Sequence, residues 1–240
     1  MPNITYEQRA VAFIDVLGFK QLVDASVRND TARHELESLI GNLESAIPVL
    51  DAGVSETVPE RLIPKHTYIS DCIILSAPLD DPNVKNYSGL ETVVMRAIQV
   101  THRMLDAGYL LRGGISVGPL WHGDGNLVGP PYQEAYLLEH NGNEPRIVLS
   151  PSAVEHWGKG FGAGSRMCIR QDDVAFVNGL HDFYVPDKSY GGAERAFNKY
   201  AAIAADRVAS GLSKSVREKW EWFQSYLEAE RSEAEKWFKA

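Results

Sequence analysis

The chain opens on an apolar run, residues 9–16 (RAVAFIDV), with a single acid near its end. Hydrophobic residues at both parities predict a strand buried on both faces. Leu17-Gly18-Phe19 predicts a tight turn into a helix with Leu22 and Val23 on one face. Asn29-Asp30-Thr31 offers N-cap residues for a second helix. Its apolar positions Leu36, Leu39, Ile40, Leu43 and Ile47 keep the helical period. Residues 48–64, with Gly53, Pro59 and several charges, read as a loop. Residues 65–75 (KHTYISDCIIL) predict two strands turning at Ser70-Asp71, a short hairpin. After a polar loop, residues 90–107 are strongly amphipathic, with Leu90, Val93, Val94, Ala97, Ile98, Met104 and Leu105 in one stripe. Gly108 is a natural helix stop.

The second half continues the alternation. Residues 110–120 (LLRGGISVGPL) predict a strand that carries Gly113, Gly114 and Gly118. Asp124-Gly125-Asn126 predicts a turn, and residues 128–131 lead into a helix over 132–140. Residues 146–149 (RIVL) read as a short buried strand, and Ser150-Pro151 starts another helix by cap and first-turn proline. Beyond a glycine-rich loop at 158–164, residues 167–177 and 182–185 read as closing strands. Residues 194–208 are helical in pattern, and 213–240 predict a long charged helix. Its apolar residues Val216, Trp220, Phe223, Leu227, Ala234 and Trp237 repeat at four and three, with Glu230 interrupting the stripe. Such a helix docks on the core or on a partner subunit. The order of elements predicts an α+β fold, a ferredoxin-like core of antiparallel sheet with helices packed on it. Residues 1–187 form that core, and 188–240 form a C-terminal helical extension.

Composition narrows the partners. Lys and Arg total 24 against 32 Asp and Glu, a net charge of −8. No basic run marks a nucleic-acid face, so nucleic acid is not an expected partner. Apolar stretches such as residues 72–75 fall far below the ~20 residues that cross a bilayer, so neither is a membrane. Residues 1–10 carry Glu7 and Arg9 and lack the apolar segment of a signal peptide, which points to a cytoplasmic protein. Cys72 sits in an apolar run and reads as a small core hydrophobe. With Cys168 the only other cysteine, no zinc-ligand spacing exists. An acidic chain that binds an anion needs a local countercharge, and a metal held by carboxylates supplies one.

Two acids fit that device. Asp15 ends the first strand, just ahead of Gly18-Phe19 and a helix start, and Asp71 sits at the hairpin turn. If the strands are neighbours, both carboxylates meet at one end of the sheet. With the Val16 carbonyl they make a hard oxygen set for Mg²⁺ or Mn²⁺. The N–H groups at Gly18 and Phe19 suit phosphate oxygens. A triphosphate with one or two metals is the natural occupant. Taken singly, Asp15 also fits a helix cap or a paired acid, and Asp71 a plain turn residue.

These residues carry a resemblance. Phe13-Ile14-Asp15-Val16-Leu17-Gly18-Phe19 resembles the first metal motif of class III nucleotidyl cyclases, Phe-x-Asp-Ile-x-Gly-Phe. Tyr68-Ile69-Ser70-Asp71-Cys72 is similar to the second, at the hairpin. Residues 111–119 (LRGGISVGP) resemble the Arg-x-Gly-Ile-x-x-Gly-Pro strand, and residues 129–139 fall where the family has its Asn- and Arg-bearing helix. The resemblance spans residues 10–185. It implies two metal ions per site, on Asp15, Val16 and Asp71. It also implies a head-to-tail homodimer whose active sites lie at the interface.

The departures define a subgroup. Thr67 stands where purine cyclases read adenine with Lys, and Asn126 where they carry Asp. Gln133 replaces the ribose-positioning Asn, Leu137 the transition-state Arg, and residues 177–181 lack the phosphate-binding Lys. The combination is similar to the pyrimidine cyclases of the bacterial Pycsar antiphage systems. That likeness implies UTP or CTP as substrate, a cyclic nucleotide messenger, and Thr67 and Asn126 on the base edge. Another arginine must then supply charge, with Arg112 ahead of Arg146, Arg166 and Arg170. Arg112 also fits a surface salt bridge, and His122 and Asp124 read as loop residues. Tyr136 has the bulk to fill space left by a small base. Two other functions stay open: a catalytically dead nucleotide-sensing module, supported by Gln133 and Leu137, and a purine cyclase with a rebuilt pocket.

Overall fold

The computed structural model describes residues 4–181, 190–210 and 212–239. The apolar first segment is β1 (Glu7–Val16), buried from Arg9 onward. It lies mid-sheet, antiparallel to β3 (Cys72–Pro78) on one side and β4 (Leu111–His122) on the other. β2 (Lys65–Ile69) pairs with β3 through the two-residue turn at Ser70-Asp71, where Ser70 takes φ 59°. β5 (Leu127–Val128) pairs with the end of β4. β6 (Ile147–Leu149) runs parallel to β4, and β8 (Val174–Val177) and β7 (Cys168–Gln171) complete the order β2-β3-β1-β4-β6-β8-β7. The one parallel pair, β4–β6, needs a crossover. α4 (Pro130–Asn141) makes it, crossing the sheet face at Gly114, where a Cβ would run into the Ala135 carbonyl.

Coverage of the two faces is unequal. α1 (Phe19–Ser26) leads to α2 (Asp30–Asp51), and α3 (Gly89–Asp106) and α5 (Pro151–Trp157) follow later. Side chains of α2, α3 and α5 join Ala12, Ile14, Ile73, Leu75 and Ile115 in the main core. On the other face a smaller cluster, including Phe13, Ile74 and Ala135, lies under α4. At the C-terminus α6 (Tyr190–Ala209) and α7 (Lys214–Lys239) pack on each other. Trp220, Phe223 and Leu227 of α7 cluster with Leu105, Leu110 and Leu180 of the core. Glu230, the break in the α7 stripe, is buried against Arg166 and Asn178.

Several expectations need correction. Residues 167–177 form a hairpin rather than one strand. Asp172 and Asp173 both take positive φ, 49° and 62°, the backbone of a tight two-residue turn. The loop expected from residue 48 starts later, because α2 runs on through Pro48 to Asp51. Proline removes one donor but fits helical φ, and buried Ala46 and Ile47 hold the segment in place. The strand expected at 182–185, the domain boundary at 187 and the Trp237 side chain lie outside the described residues. No helix among the described residues is long and apolar enough to cross a membrane.

Candidate active site

Strand alternation decides which face Asp15 occupies. Ala10, Ala12, Ile14 and Val16 enter the main core, whereas Val11 and Phe13 enter the cluster under α4. Asp15 shares the parity of Val11 and Phe13, so its carboxylate emerges on the thinly covered face. Its cross-strand neighbours are Cys72 and Arg112. Asp71 closes the β2–β3 turn one position earlier. Ligand atoms of Asp15, Asp71 and Cys72 all lie within 4.8 Å of one another. The Cys72 Sγ is 3.7 Å from Asp15 Oδ1 and 3.9 Å from Asp71 Oδ1.

Arg112 closes the other side. Its Nε lies 3.2 Å from Asp15 Oδ2 and 2.6 Å from Oε1 of Glu139 on α4. One guanidinium therefore faces two acids. Burial first, then the hydrogen bond and charge of Asp71, then Glu139, push the Asp15 carboxyl up to about 7, against the opposing pull of Arg112. Burial and the same acids push the Cys72 thiol far above its ordinary value. Sulfur is a soft donor and the two carboxylates supply hard oxygens. Such a set fits Mg²⁺ or Mn²⁺. Asp15 and Asp71 are the side chains that could hold it. The Val16 side chain is in the core, so only its backbone is left to offer an oxygen.

Gly18 caps α1 at φ 90° with no side-chain acceptor, and nothing lies within 4 Å of where its Cβ would stand. The first-turn N–H groups, including that of Phe19, have no side-chain cap. The remaining predicted residues lie elsewhere. Thr67 Oγ1 is 3.1 Å from His122 Nε2, and Ser76 Oγ is 2.7 Å from Nδ1 of the same ring. Asn126 is exposed in the β4–β5 loop, its Oδ1 accepting from the Leu127 N–H. Thr67 thus meets His122, and neither Thr67 nor Asn126 bonds Asp15 or Asp71. His122 is no loop residue: pairing with β5 extends β4 through it and buries it. Burial, then Arg9, Lys65 and His66, holds its pKa down to about 4, so the ring is neutral. Asp124 is exposed in the loop.

Gln133 and Leu137, one turn apart on α4, are exposed and are not brought to the two aspartates within one chain. Arg146 stacks over Phe176 and Trp222, Arg166 pairs with Glu230, and Arg170 bonds the Asp173 carbonyl. Sequence reading missed Glu139, and it took Cys72, which does pack against the smaller apolar cluster, without its place beside the two acids. The parity Cys72 shares with Ile74 was the available signal for the cysteine. Glu139 carried none, because its pairing depends on how α4 crosses the sheet.

No family model matches the sequence, and no curated protein matches it. Solved structures do. The chain is similar to the adenylyl cyclase CyaB from P. aeruginosa, at TM-score 0.50 and 15% identity over 73% of this chain and 94% of that one. It is also similar to the monomeric guanylyl cyclase domain of the RhoGC fusion protein from the aquatic fungus Blastocladiella emersonii. There the TM-score is 0.50 and the identity 19%, over 72% of this chain and 96% of that one. The sheet order, the α4 crossover and these matches together give the chain the α+β fold of a class III cyclase catalytic core.

Proposed function

We propose that the chain is a metal-dependent nucleotidyl cyclase. It converts UTP or CTP to the 3′,5′-cyclic nucleotide and pyrophosphate. The observation that carries this reading is the meeting of Asp15 and Asp71 on one sheet face, beside an α1 start with no side-chain cap. In the reaction the 3′-oxygen bonds to the α-phosphorus, the bond to pyrophosphate breaks, and the hydroxyl proton passes to water or to the departing pyrophosphate. Bound Mg²⁺ or Mn²⁺ supplies a lowered hydroxyl pKa and charge for the phosphates. Asp15 and Asp71 hold the ions, and the N–H groups at Gly18 and Phe19 take phosphate oxygens. Arg112 orients Asp15 in the resting chain. Because Glu139 shares its charge, Arg112 serves the transition state only after one of these pairs loosens.

The pyrimidine reading draws on Thr67 and Asn126, neutral groups that can meet a base edge. The neutral His122 ring holds the Thr67 hydroxyl. Exposed Gln133, Tyr136 and Leu137 on α4 favour a homodimer in which one subunit presents them to the aspartates of the other. Residues 1–187 are the catalytic domain in this reading, and 188–240 its extension. The likeness to Pycsar cyclases makes the product a messenger in bacterial antiphage defence, read by an effector.

The test is turnover of ATP, GTP, CTP and UTP, each alone with Mn²⁺, followed by mass spectrometry, with Asp71→Ala as control. Cyclic UMP or cyclic CMP from the wild type alone is the expected result. A cyclic purine overturns the base assignment. Nucleotide binding with no product from any substrate favours a sensing module, a reading to which Leu137 and the doubly paired Arg112 lend support.

A further inference from the structure

A cavity of about 310 Å³ opens between α1 and the C-terminal helices, and Gly18 and Lys219 both line it. We infer that Lys219 of α7 is the cation that receives the polyphosphate tail of the substrate beside Gly18. This rests on the cyclase reading and adds to it a role for the C-terminal helices.

The cations around this cavity differ in how they are paired. Arg207 lines it too, but it pairs with Glu35 at 3.8 Å and lies over the Tyr109 ring. Arg112, outside the cavity lining but close enough to act on Lys219, is held by Asp15 and Glu139. Lys219 is half-buried, and no carboxylate or carbonyl among the described residues pairs with it. A partly desolvated ammonium without a partner costs free energy unless a ligand supplies the anion. It stands within the fields of Asp15 and Arg112, and burial and Arg112 together hold its pKa below the ordinary lysine value. The α1 start and this amine thus face one cavity, and Asp15 lies close enough for its charge to reach the amine.

The helix is anchored for the task. Trp220, the next residue, is 4% exposed. Further along, Glu230 accepts from Asn178 Nδ2 and Arg166 Nη2, each at 2.7 Å, and the Tyr226 hydroxyl bonds Asn178 Oδ1. These contacts tie α7 to Arg166, ahead of β7, and to Asn178, just after β8. Residues 177–181 offer the phosphates no lysine or arginine, so a cation from α7 supplies what that segment lacks.

The full-length chain is titrated calorimetrically with inorganic tripolyphosphate in Mn²⁺, and UTP and CTP turnover are followed in parallel. Lys219→Met is expected to weaken tripolyphosphate binding about 10-fold or more, the worth of one charge-assisted hydrogen bond. Lys219→Arg keeps the affinity within about 3-fold, and Arg207→Gln, already paired, changes it no more than that. Melting curves confirm that each variant folds. Lys219→Gln replaces Lys219→Met if the latter does not. Active wild type with unchanged binding in a folded Lys219→Met or Lys219→Gln overturns the inference and leaves the cyclase reading standing. Wild type that neither binds tripolyphosphate nor turns over any nucleotide overturns the reading, and the inference with it.

Discussion

The two faces of the central sheet share the same three strands and differ in what covers them. On one face α2, α3 and α5 bury Ala10, Ala12, Ile14, Ile73, Leu75 and Ile115, each at 0 or 1% exposure. On the other, α4 is the one helix that crosses among the described residues, and there the alternate positions hold Arg9, Asp15, Ser76, Ser116 and His122. Every buried polar side chain of β1, β3 and β4 has the parity of that second face. Each has a partner close by: Arg9 with Ser76, Asp15 with Arg112, Ser116 with Glu134, His122 with Thr67. One face thus supplies apolar burial and the other a polar lattice open at the Asp15 end. A strand can serve both because successive side chains point opposite ways.

The sharpest way to break this comparison is to change one residue on each side. Asp71→Ala is expected to cut Mn²⁺-dependent cyclisation by about 10³-fold or more, since metal and oriented charge carry most of such a reaction. Its melting temperature should hold. Ile14→Ala, on the core parity beside Asp15, should do the reverse. It loses about 2–5 kcal/mol in denaturant titration while keeping turnover per folded molecule. If Ile14→Ala abolishes turnover at full stability, or Asp71→Ala unfolds the chain, the division between the faces is wrong.

Much of this was legible in the sequence, and the exceptions share a cause. Asp15 and Asp71 stood out because each punctuates an element, a strand end and a turn, and adjacent strands then bring them together. The α3 stripe and its Gly108 stop were equally plain. The Asp172-Asp173 turn was missed because left-handed turns usually advertise themselves with glycine or asparagine. Glu139, His122 and Lys219 were missed, or read as bland, because each owes its position to an element from another part of the chain. α4 brings Glu139 down onto Arg112, β5 draws His122 over Ser76 and Thr67, and α7 carries Lys219 to Gly18. Local patterning has no term for such meetings.

A smaller effect sharpens the electrostatic side of the comparison. With the Asp15 carboxyl at about 7, much of it is protonated at pH 6 in the metal-free chain. A metal ion must displace that proton, so Mn²⁺ affinity should rise about 10-fold between pH 6 and pH 8 and level off above. Calorimetry across that range reads it, with proton release seen as a dependence on buffer ionisation enthalpy. A flat profile means that Asp15 is not a ligand or that its acid neighbours do not act on it.

The smallest expected effect separates Glu139 as a charge from Glu139 as a fastener for α4. Its carboxylate raises the Asp15 pKa directly, and it also takes a share of the Arg112 guanidinium. Glu139→Gln removes both influences. Less negative charge faces Asp15, and Arg112 is freed to pair with it alone. Both changes lower the Asp15 pKa, so the midpoint of the Mn²⁺ affinity profile should move to lower pH. The affinity reached above that midpoint should fall, because the same loss of negative charge weakens Mn²⁺ binding to the ionised site. If Glu139 only fastens α4 to the sheet, Glu139→Gln lowers the melting temperature and leaves the midpoint in place. The two outcomes differ in the midpoint: a tuned acid shifts it to lower pH in the variant, whereas a loosened α4 leaves it unmoved.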